Sequence, residues 1–133
     1  MLVSTKGRYA LRVMIELAER RGEGYVPLSV IAESQGISEK YLESIIVILS
    51  KAGFVDGLRG KGGGYKLARA AADYTVGSIL RTVEGPLVPV NCLKSDINSC
   101  ERVEYCKTLP MWTELDGIIN DYLDSVKLSD LAE

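Results

Sequence analysis

The chain has 133 residues, enough for one domain with one hydrophobic core, and its 47% hydrophobic and 26% charged residues exclude a largely disordered protein. Early charges interrupt any signal-peptide pattern and no apolar run is long enough to cross a membrane, so we expect a cytoplasmic protein without membrane partners. The net charge is −2, but the charges are unevenly distributed along the chain. Residues 1–74 carry a positive excess and residues 75–133 a negative one. The two parts are expected to face different partners.

Three helices are predicted before residue 53. The first begins at about residue 4 and ends near residue 21, since apolar residues recur there at helical spacing. A short second helix spans about residues 29–35 and ends at Gly36, and a third spans about residues 39–52. Two helices separated by a short turn that contains glycine are typical of a helix-turn-helix.

The outward face of the third helix carries side chains that suit DNA. A lysine can donate to guanine or phosphate, a glutamate can accept from the amino group of cytosine, and hydroxyl groups can bind phosphates. The candidate DNA-binding residues here are Ser38, Lys40, Tyr41, Glu43 and Ser44. A purely structural helix pair remains the alternative for this segment alone.

A β-hairpin is predicted next, with strands near residues 54–59 and 64–68 joined by a glycine-rich loop. Three helices followed by a hairpin form the winged-helix order, and Arg59 or Lys61 can then enter the minor groove of DNA. A nucleotide-phosphate loop is disfavoured, because Lys61 is followed by Gly62 rather than by serine or threonine. We therefore predict a mostly α fold with a small hairpin, a winged helix-turn-helix.

The second part of the chain predicts two further helices around an irregular segment. Thr75 caps the first, which ends at Gly85, and residues 86–109 show the composition of a loop. From Pro110 an apolar stripe repeats at alternating spacings of three and four, as in a helix that pairs with a second copy, although folding back onto its own core is the alternative. The stripe comprises Trp112, Leu115, Ile119, Tyr122 or Leu123, and Val126.

These elements suggest three regions. Residues 1–85 are predicted to form the winged helix-turn-helix DNA-binding domain, residues 86–109 a cysteine-rich sensor loop, and residues 110–133 a long C-terminal dimerisation helix with a tail.

The loop holds the three cysteines of the chain, Cys92, Cys100 and Cys106, and the chain has no histidine. Clustered cysteines in a reducing compartment favour metal ligation or redox chemistry over a structural disulfide. An iron–sulfur cluster is the preferred interpretation; a thiol switch, structural zinc and inert cysteines remain as alternatives. A small electron carrier needs no helix-turn-helix, and acid–base catalysis here lacks both histidine and an evident carboxylate pair, so neither an electron carrier nor an enzyme is expected.

Several motifs together resemble a known family. Residues 4–12 (STKGRYALR), 37–43 (ISEKYLE) and 58–69 (LRGKGGGYKLAR), and the helix headed by Met111-Trp112, are similar to the bacterial winged-helix regulators that include IscR, NsrR, RirA and CymR. The resemblance implies a homodimer that binds a partly palindromic, double-stranded operator. It places Glu43 at the base-reading glutamate and Arg59 at the wing arginine, and it adds Lys6 and Tyr9 of the first helix as DNA contacts.

The resemblance also implies that Cys92, Cys100 and Cys106 hold a two-iron or four-iron cluster, as in the IscR-like members, with cluster assembly or transfer proteins as further expected partners. The fourth ligand departs from the family pattern. IscR-like proteins have a histidine ligand at the position of Leu109 in this chain. In NsrR-like proteins an aspartate of the partner subunit can be the fourth ligand, and this chain has Arg8 at the matching position. Candidates in this chain are Asp96, Asn98, Glu101 and Glu104, besides a solvent molecule or an external thiol.

Overall fold

The computed structural model describes residues 3–94 and 101–133, which form a mostly helical fold with one hairpin. In chain order the elements are α1 (Thr5–Glu19), α2 (Leu28–Gln35), α3 (Glu39–Lys51), β1 (Val55–Leu58), β2 (Gly64–Leu67), α4 (Val76–Glu84), α5 (Leu109–Ser125) and α6 (Leu128–Leu131). Short 3₁₀ turns lie at Arg21–Glu23, Ala71–Asp73 and Asn91–Leu93. The predicted fold class is confirmed.

Side-chain caps and one glycine set the helix boundaries of the helix-turn-helix. The Ser4 hydroxyl accepts a hydrogen bond from the backbone N–H of Gly7, and the Ser38 hydroxyl accepts one from Tyr41, both at 3.1 Å. Gly36 ends α2 in the left-handed conformation, with φ of 65°, which a side chain would disfavour. The chain thus turns sharply between α2 and α3, as the sequence predicts.

The hairpin forms the wing, and it is tied to the start of the helix-turn-helix. β1 and β2 pair antiparallel, and Val26, two residues before α2, exchanges two backbone hydrogen bonds of 2.8 Å with Tyr65 of β2. Gly64 permits this approach, because a Cβ there would overlap the backbone carbonyl of Val26. The wing and α2 are therefore held as one body.

The core lies between α1, α3 and α4, and Tyr74 closes it below the wing. Tyr74 is 1% exposed, and its hydroxyl accepts a hydrogen bond from the backbone N–H of Arg69 (3.0 Å) while donating one to the carbonyl of Phe54 (2.7 Å). These two partners flank the hairpin on either side, so the buried phenol fixes the base of the wing.

Residues after α5, which were predicted to form a tail, return to the core. Leu128 of α6 is fully buried, and its backbone N–H donates to the Tyr74 carbonyl at 3.0 Å. The backbone N–H of Val76 donates to Val126 at 2.8 Å, so the end of α5 is joined to the start of α4. Among the described helices, none is both long and apolar enough to cross a membrane.

The helix α5 has two apolar faces rather than the single predicted stripe. Leu123 and Val126 pack against the buried group of Val76, Leu80 and Leu87. A second set points away from the chain's own core and is between 37% and 66% exposed: Met111, Leu115, Ile118 and Tyr122. The predicted stripe mixed these faces, because Leu115 and Tyr122 are exposed whereas Leu123 and Val126 contact the core.

Candidate nucleic-acid interface and cysteine segment

The outward face of α3 presents the predicted DNA-binding side chains. Ser38, Lys40, Glu43 and Ser44 are exposed, whereas Tyr41 is half-buried. The ring of Tyr41 packs edge-on against Tyr9 of α1, with centroids 5.8 Å apart, so these two residues join α1 to the start of α3. Part of each tyrosine ring is therefore used in the contact between the two helices.

Arg59 and Lys61 lie exposed at the tip of the wing. Within the described residues, neither forms an ion pair, and the same holds for Lys40 and Glu43 on α3. Charged groups that are not neutralised inside the protein are available to a charged partner. We call Lys40, Glu43, Ser44, Arg59 and Lys61 the reading surface.

A buried polar network, which sequence reasoning missed, fixes α2 on α1. Glu16 is only 5% exposed and accepts hydrogen bonds from Arg20 (2.9 Å) and from the side-chain amide of Gln35. Arg12 in turn donates to the side-chain oxygen of Gln35 (2.9 Å) and to its backbone carbonyl (2.6 Å). The spacing of Arg12, Glu16 and Arg20 places them on one face of α1, and this regular spacing was the available signal.

Residues 86–109, the cysteine segment, connect α4 to α5. Cys92 lies in the 3₁₀ turn Asn91–Leu93, and both it and Cys106 are half-buried free thiols. Cys100, together with the candidate ligands Asp96 and Asn98, lies outside the described residues.

Cys106 lies just before α5 in a setting that favours its thiolate. Its sulfur and the Thr108 hydroxyl are within hydrogen-bonding distance, at 3.5 Å. This hydrogen bond, and further ones with the backbone of Thr108 and Leu109, lower the pKa of the thiol, and the nearby charge of Arg102 acts in the same direction. Thiolate is the form that binds iron or reacts with another sulfur.

The start of the cysteine segment is attached to α5, and the end of α4 just before the segment is attached to α1. The side-chain amide of Asn120 on α5 donates to the backbone carbonyl of Leu87 at 2.9 Å. On the other side, the carboxylate of Glu84, the last residue of α4, accepts a hydrogen bond from the backbone N–H of Ser4. A cleft of about 360 Å³ lies here, lined by Ser4, Val83, Glu84, Pro86, Leu87, Val88, Asn91 and Lys94.

A fourth ligand to a three-cysteine cluster is not evident in the described residues. Leu109 is the first residue of α5, and Arg8 is exposed and donates to the Thr5 hydroxyl at 3.2 Å. Glu101 and Glu104 are exposed within the cysteine segment. In residues 3–94 and 101–133, no three histidine, cysteine or acidic side chains converge as a metal site.

The sequence of the chain matches one known protein family along almost its whole length. The Rrf2 family, described as iron-dependent transcriptional regulator, matches residues 3–133. The chain belongs to the Rrf2 family. Its resemblance to the regulators that include IscR and CymR is thereby confirmed.

Individual Rrf2 relatives match along almost the whole chain. The HTH-type transcriptional regulator CymR of Bacillus subtilis is 41% identical over 132 residues, covering 99% of this chain and 90% of CymR. The HTH-type transcriptional regulator IscR of Erwinia tasmaniensis is 38% identical over 132 residues, covering 99% of this chain and 79% of IscR. Both relatives are transcriptional regulators, not enzymes.

Solved structures of Rrf2 relatives share the fold. B. subtilis CymR, described as the global cysteine regulator, superposes with a TM-score of 0.81 at 39% identity, covering 99% of this chain and 96% of CymR. T. potens IscR superposes with a TM-score of 0.78 at 43% identity, covering 98% of this chain and 85% of IscR. The chain is therefore an Rrf2-family transcriptional regulator with a winged-helix fold.

Proposed function

We propose that this Rrf2 regulator is a homodimer that binds an operator through its reading surface and changes its affinity with the state of an iron–sulfur cluster on Cys92, Cys100 and Cys106. The observation that carries the proposal is the arrangement of the cysteine segment. Asn120 of α5 holds its start at Leu87, and Glu84, which precedes it at the end of α4, holds the first turn of α1. The segment therefore lies between the DNA-reading part and the helix that carries the outward apolar face.

The reading surface supports DNA binding by two kinds of contact. Glu43 on the exposed face of α3 suits the amino group of cytosine in the major groove, and Lys40 and Ser44 lie beside it. Arg59 and Lys61 project from the wing toward phosphates or the minor groove. Because Val26 pairs with Tyr65, the wing keeps a fixed position on the helix-turn-helix when α3 and the wing contact DNA.

The exposed face of α5 supports pairing with a second copy. Met111, Leu115, Ile118 and Tyr122 follow the spacing of a helix-packing seam, and all four side chains are exposed in the single chain. A symmetric pair of these helices would bury them and hold two reading surfaces at a fixed separation. Regions 86–109 and 110–133 thus serve as sensor and dimerisation element in this proposal.

The donor set of the cysteine segment fits an iron–sulfur cluster. Cys92 and Cys106 are free and partly accessible, thiolates are the usual cluster ligands, and the setting of Cys106 favours the thiolate. A bound cluster would supply a group whose charge and redox state respond to oxygen, nitric oxide or iron supply. Glu101 and Glu104 are the described acids nearest in sequence that can complete the ligand set.

The contact of Leu87 in the segment, and that of Glu84 just before it, provide a route to the reading surface. Moving Leu87 changes its hydrogen bond to Asn120, and moving Glu84 changes its hold on the first turn of α1. Gly7 allows this hold, since a Cβ there would lie 2.7 Å from the Glu84 carboxylate. A hundredfold change in operator affinity requires a coupling free energy of about 3 kcal/mol, which a few such contacts can supply.

The test is a comparison of two proteins purified without oxygen, the wild type and the Cys92→Ala, Cys100→Ala, Cys106→Ala variant. We expect thiolate-to-iron absorption bands with matched iron and sulfide only in the wild type. Operator affinity at one salt concentration should differ between cluster-loaded and cluster-free wild type. A colourless, iron-free wild type from iron-replete cells, or equal affinities of the two forms, would contradict the cluster proposal.

A thiol switch on the same DNA-binding scaffold is the second candidate. It is favoured by the likeness to CymR, described as the global cysteine regulator, and by the finding that no three histidine, cysteine or acidic side chains converge as a metal site in residues 3–94 and 101–133. In that case a disulfide formed by an oxidant such as peroxide would change operator affinity without iron. Mass spectrometry of the oxidised and reduced forms, followed by duplex binding, separates this mechanism from the cluster.

A further inference from the structure

Val47 is an exposed apolar side chain on α3, and among the described residues it does not pack against either apolar cluster. It is 44% exposed, whereas Ile45 and Ile46 immediately before it are 0% and 1% exposed. A single exposed valine is ordinary on a protein surface, so its exposure alone decides nothing. Its position relative to the reading surface is the informative feature.

Val47 lies in the middle of the reading face of α3. With a rotation of about 100° per residue, Val47 is about 40° around the helix axis from Glu43 and about 20° from Lys40. With a rise of 1.5 Å per residue, it lies about 6 Å further along the axis than Glu43. If Glu43 reaches a base edge, Val47 faces the same groove one or two base pairs away.

Only one group on the base edges of the major groove can make an apolar contact with Val47. Base edges there present hydrogen-bond donors and acceptors, which valine cannot satisfy, and the C5-methyl group of thymine, which it can contact. Covering polar base edges with valine would leave them unpaired, at a cost in free energy. Valine is also stiff at χ1 in a helix, so little side-chain entropy is lost when it makes a fixed contact.

We infer that Val47 determines operator specificity by contacting the C5-methyl group of a thymine beside the base pair read by Glu43. The inference rests on the proposed function, since it requires α3 to lie in the major groove. It assigns base recognition to an apolar residue that carries no hydrogen-bonding group.

Removal of single methyl groups from the DNA tests this inference. An operator is first selected with the wild-type protein from a randomised duplex library, and each thymine is then replaced in turn by deoxyuridine, which lacks only the C5-methyl group. We expect one position in each half-site where replacement weakens wild-type binding about fourfold, the effect of withdrawing one methyl group from apolar contact. Val47→Ala should bind the thymine operator more weakly and be insensitive to uridine at that position.

Val30→Ala is the matched control, because Val30 is 36% exposed but lies on α2. This variant should keep the full uridine penalty. The melting temperature of Val47→Ala and the salt dependence of its DNA binding should equal those of the wild type, since neither the core nor a phosphate contact is altered.

Two results have different meanings. If the wild type binds its operator specifically but tolerates uridine everywhere, or if Val47→Ala retains the uridine penalty, the assignment of Val47 is wrong and operator binding stands. If the wild type selects no duplex sequence at all, the proposed function fails, and the assignment of Val47 fails with it.

Discussion

Asn120 on α5 holds the backbone carbonyl of Leu87 with its side-chain amide nitrogen, at 2.9 Å, while its side-chain oxygen accepts from Arg81 of α4, at 2.8 Å. One side chain thereby joins α4, α5 and the start of the cysteine segment. Arg81 also forms a two-point ion pair with Asp124, at 2.8 and 2.9 Å. We call Arg81, Asn120 and Asp124 the clamp.

The first prediction concerns Asn120→Ala, which removes the attachment of Leu87. We expect the ratio of operator affinities between cluster-loaded and cluster-free protein to fall toward one. Stability should fall by about 1–2 kcal/mol, because the Leu87 carbonyl and Arg81 each lose a partner. Fluorescence anisotropy with the two forms at one salt concentration measures the ratio.

Asp121→Ala is the control for this variant, since Asp121 is the exposed neighbour on the same helix. It should leave both the ratio and the stability unchanged. A stability loss in Asn120→Ala with an unchanged affinity ratio would mean that the clamp only supports the fold.

The second prediction concerns the acid stability of the clamp. Hydrogen bonds from Arg81, followed by its charge, lower the pKa of Asp124 below its ordinary value of 3.8. A carboxyl group with a lowered pKa in the folded state stabilises the fold above about pH 4, and this contribution is lost as the pH falls through the folded-state pKa. Asp124→Asn should therefore be less stable than the wild type at pH 7, and the difference should shrink toward pH 3.

The side chain of Asp124 is 46% exposed, so the difference at pH 7 should be below about 1 kcal/mol. Urea unfolding at pH 7, 5, 4 and 3 measures it, with Asp121→Asn as the exposed control. A difference that grows on acidification would show that another group determines the acid response.

The third prediction concerns the attachment of the wing. In Gly64→Ala the new Cβ would overlap the Val26 carbonyl, at a residue whose φ is 147°, so the pairing between Val26 and Tyr65 must open. We expect a loss of more than about 1 kcal/mol in stability and weaker operator binding below the melting temperature. Gly22→Ala is the control, because no atom lies within 4 Å of its added Cβ, and it should change neither quantity.

The fourth prediction separates the two parts of the reading surface. Arg59→Ala should weaken binding and reduce by about one the slope of log affinity against log salt, as expected for a lost phosphate or groove contact. Glu43→Gln should instead relax the base preference at one position in each half-site and leave the slope unchanged. Lys107→Ala, which removes an exposed lysine that lies on neither α3 nor the wing, should keep the wild-type salt slope and base preference. Equal behaviour of all three variants would contradict the proposed interface.

The order of elements could be predicted from the sequence because local signals set it. Ser4 and Ser38 cap helices and Gly36 ends one, and each acts on its own neighbours along the chain. The clamp could not be predicted in the same way, because Arg81 and Asn120 are 39 residues apart in sequence and meet only after α4 and α5 pack. Unlike the evenly spaced Arg12, Glu16 and Arg20, the two residues show no regular spacing within one helix.

In the helix α5, too, the local sequence pattern does not predict which residues pack against other elements. Its apolar residues predicted one stripe, yet Leu123 faces the chain's own core while Tyr122, its neighbour, is 66% exposed. Spacing alone cannot divide a broad apolar surface between the chain's own core and a partner, because both faces repeat at three and four. The packing of α5 against α4 decides which residues remain exposed.

The fifth prediction follows from this division. Ile118 is 60% exposed at the centre of the outward face of α5, and Ile118→Glu would place a charge in the proposed helix pair. A charge without a partner in an apolar interface is costly, so we expect dimers to dissociate and operator affinity to fall, with the melting temperature limited to that of the single chain. Analytical ultracentrifugation and duplex binding at matched concentrations measure the two effects.

Thr113→Glu is the matched control, because Thr113 is exposed on α5 but lies about 160° around the axis from Met111. It adds the same charge outside the outward face and should remain dimeric. If Ile118→Glu sediments as a dimer, or if the wild type is a monomer, α5 is not the dimerisation helix. In that case two reading surfaces would have to be held together by another element, and the attachment of Leu87 to Asn120 would no longer connect the cysteine segment to the subunit interface.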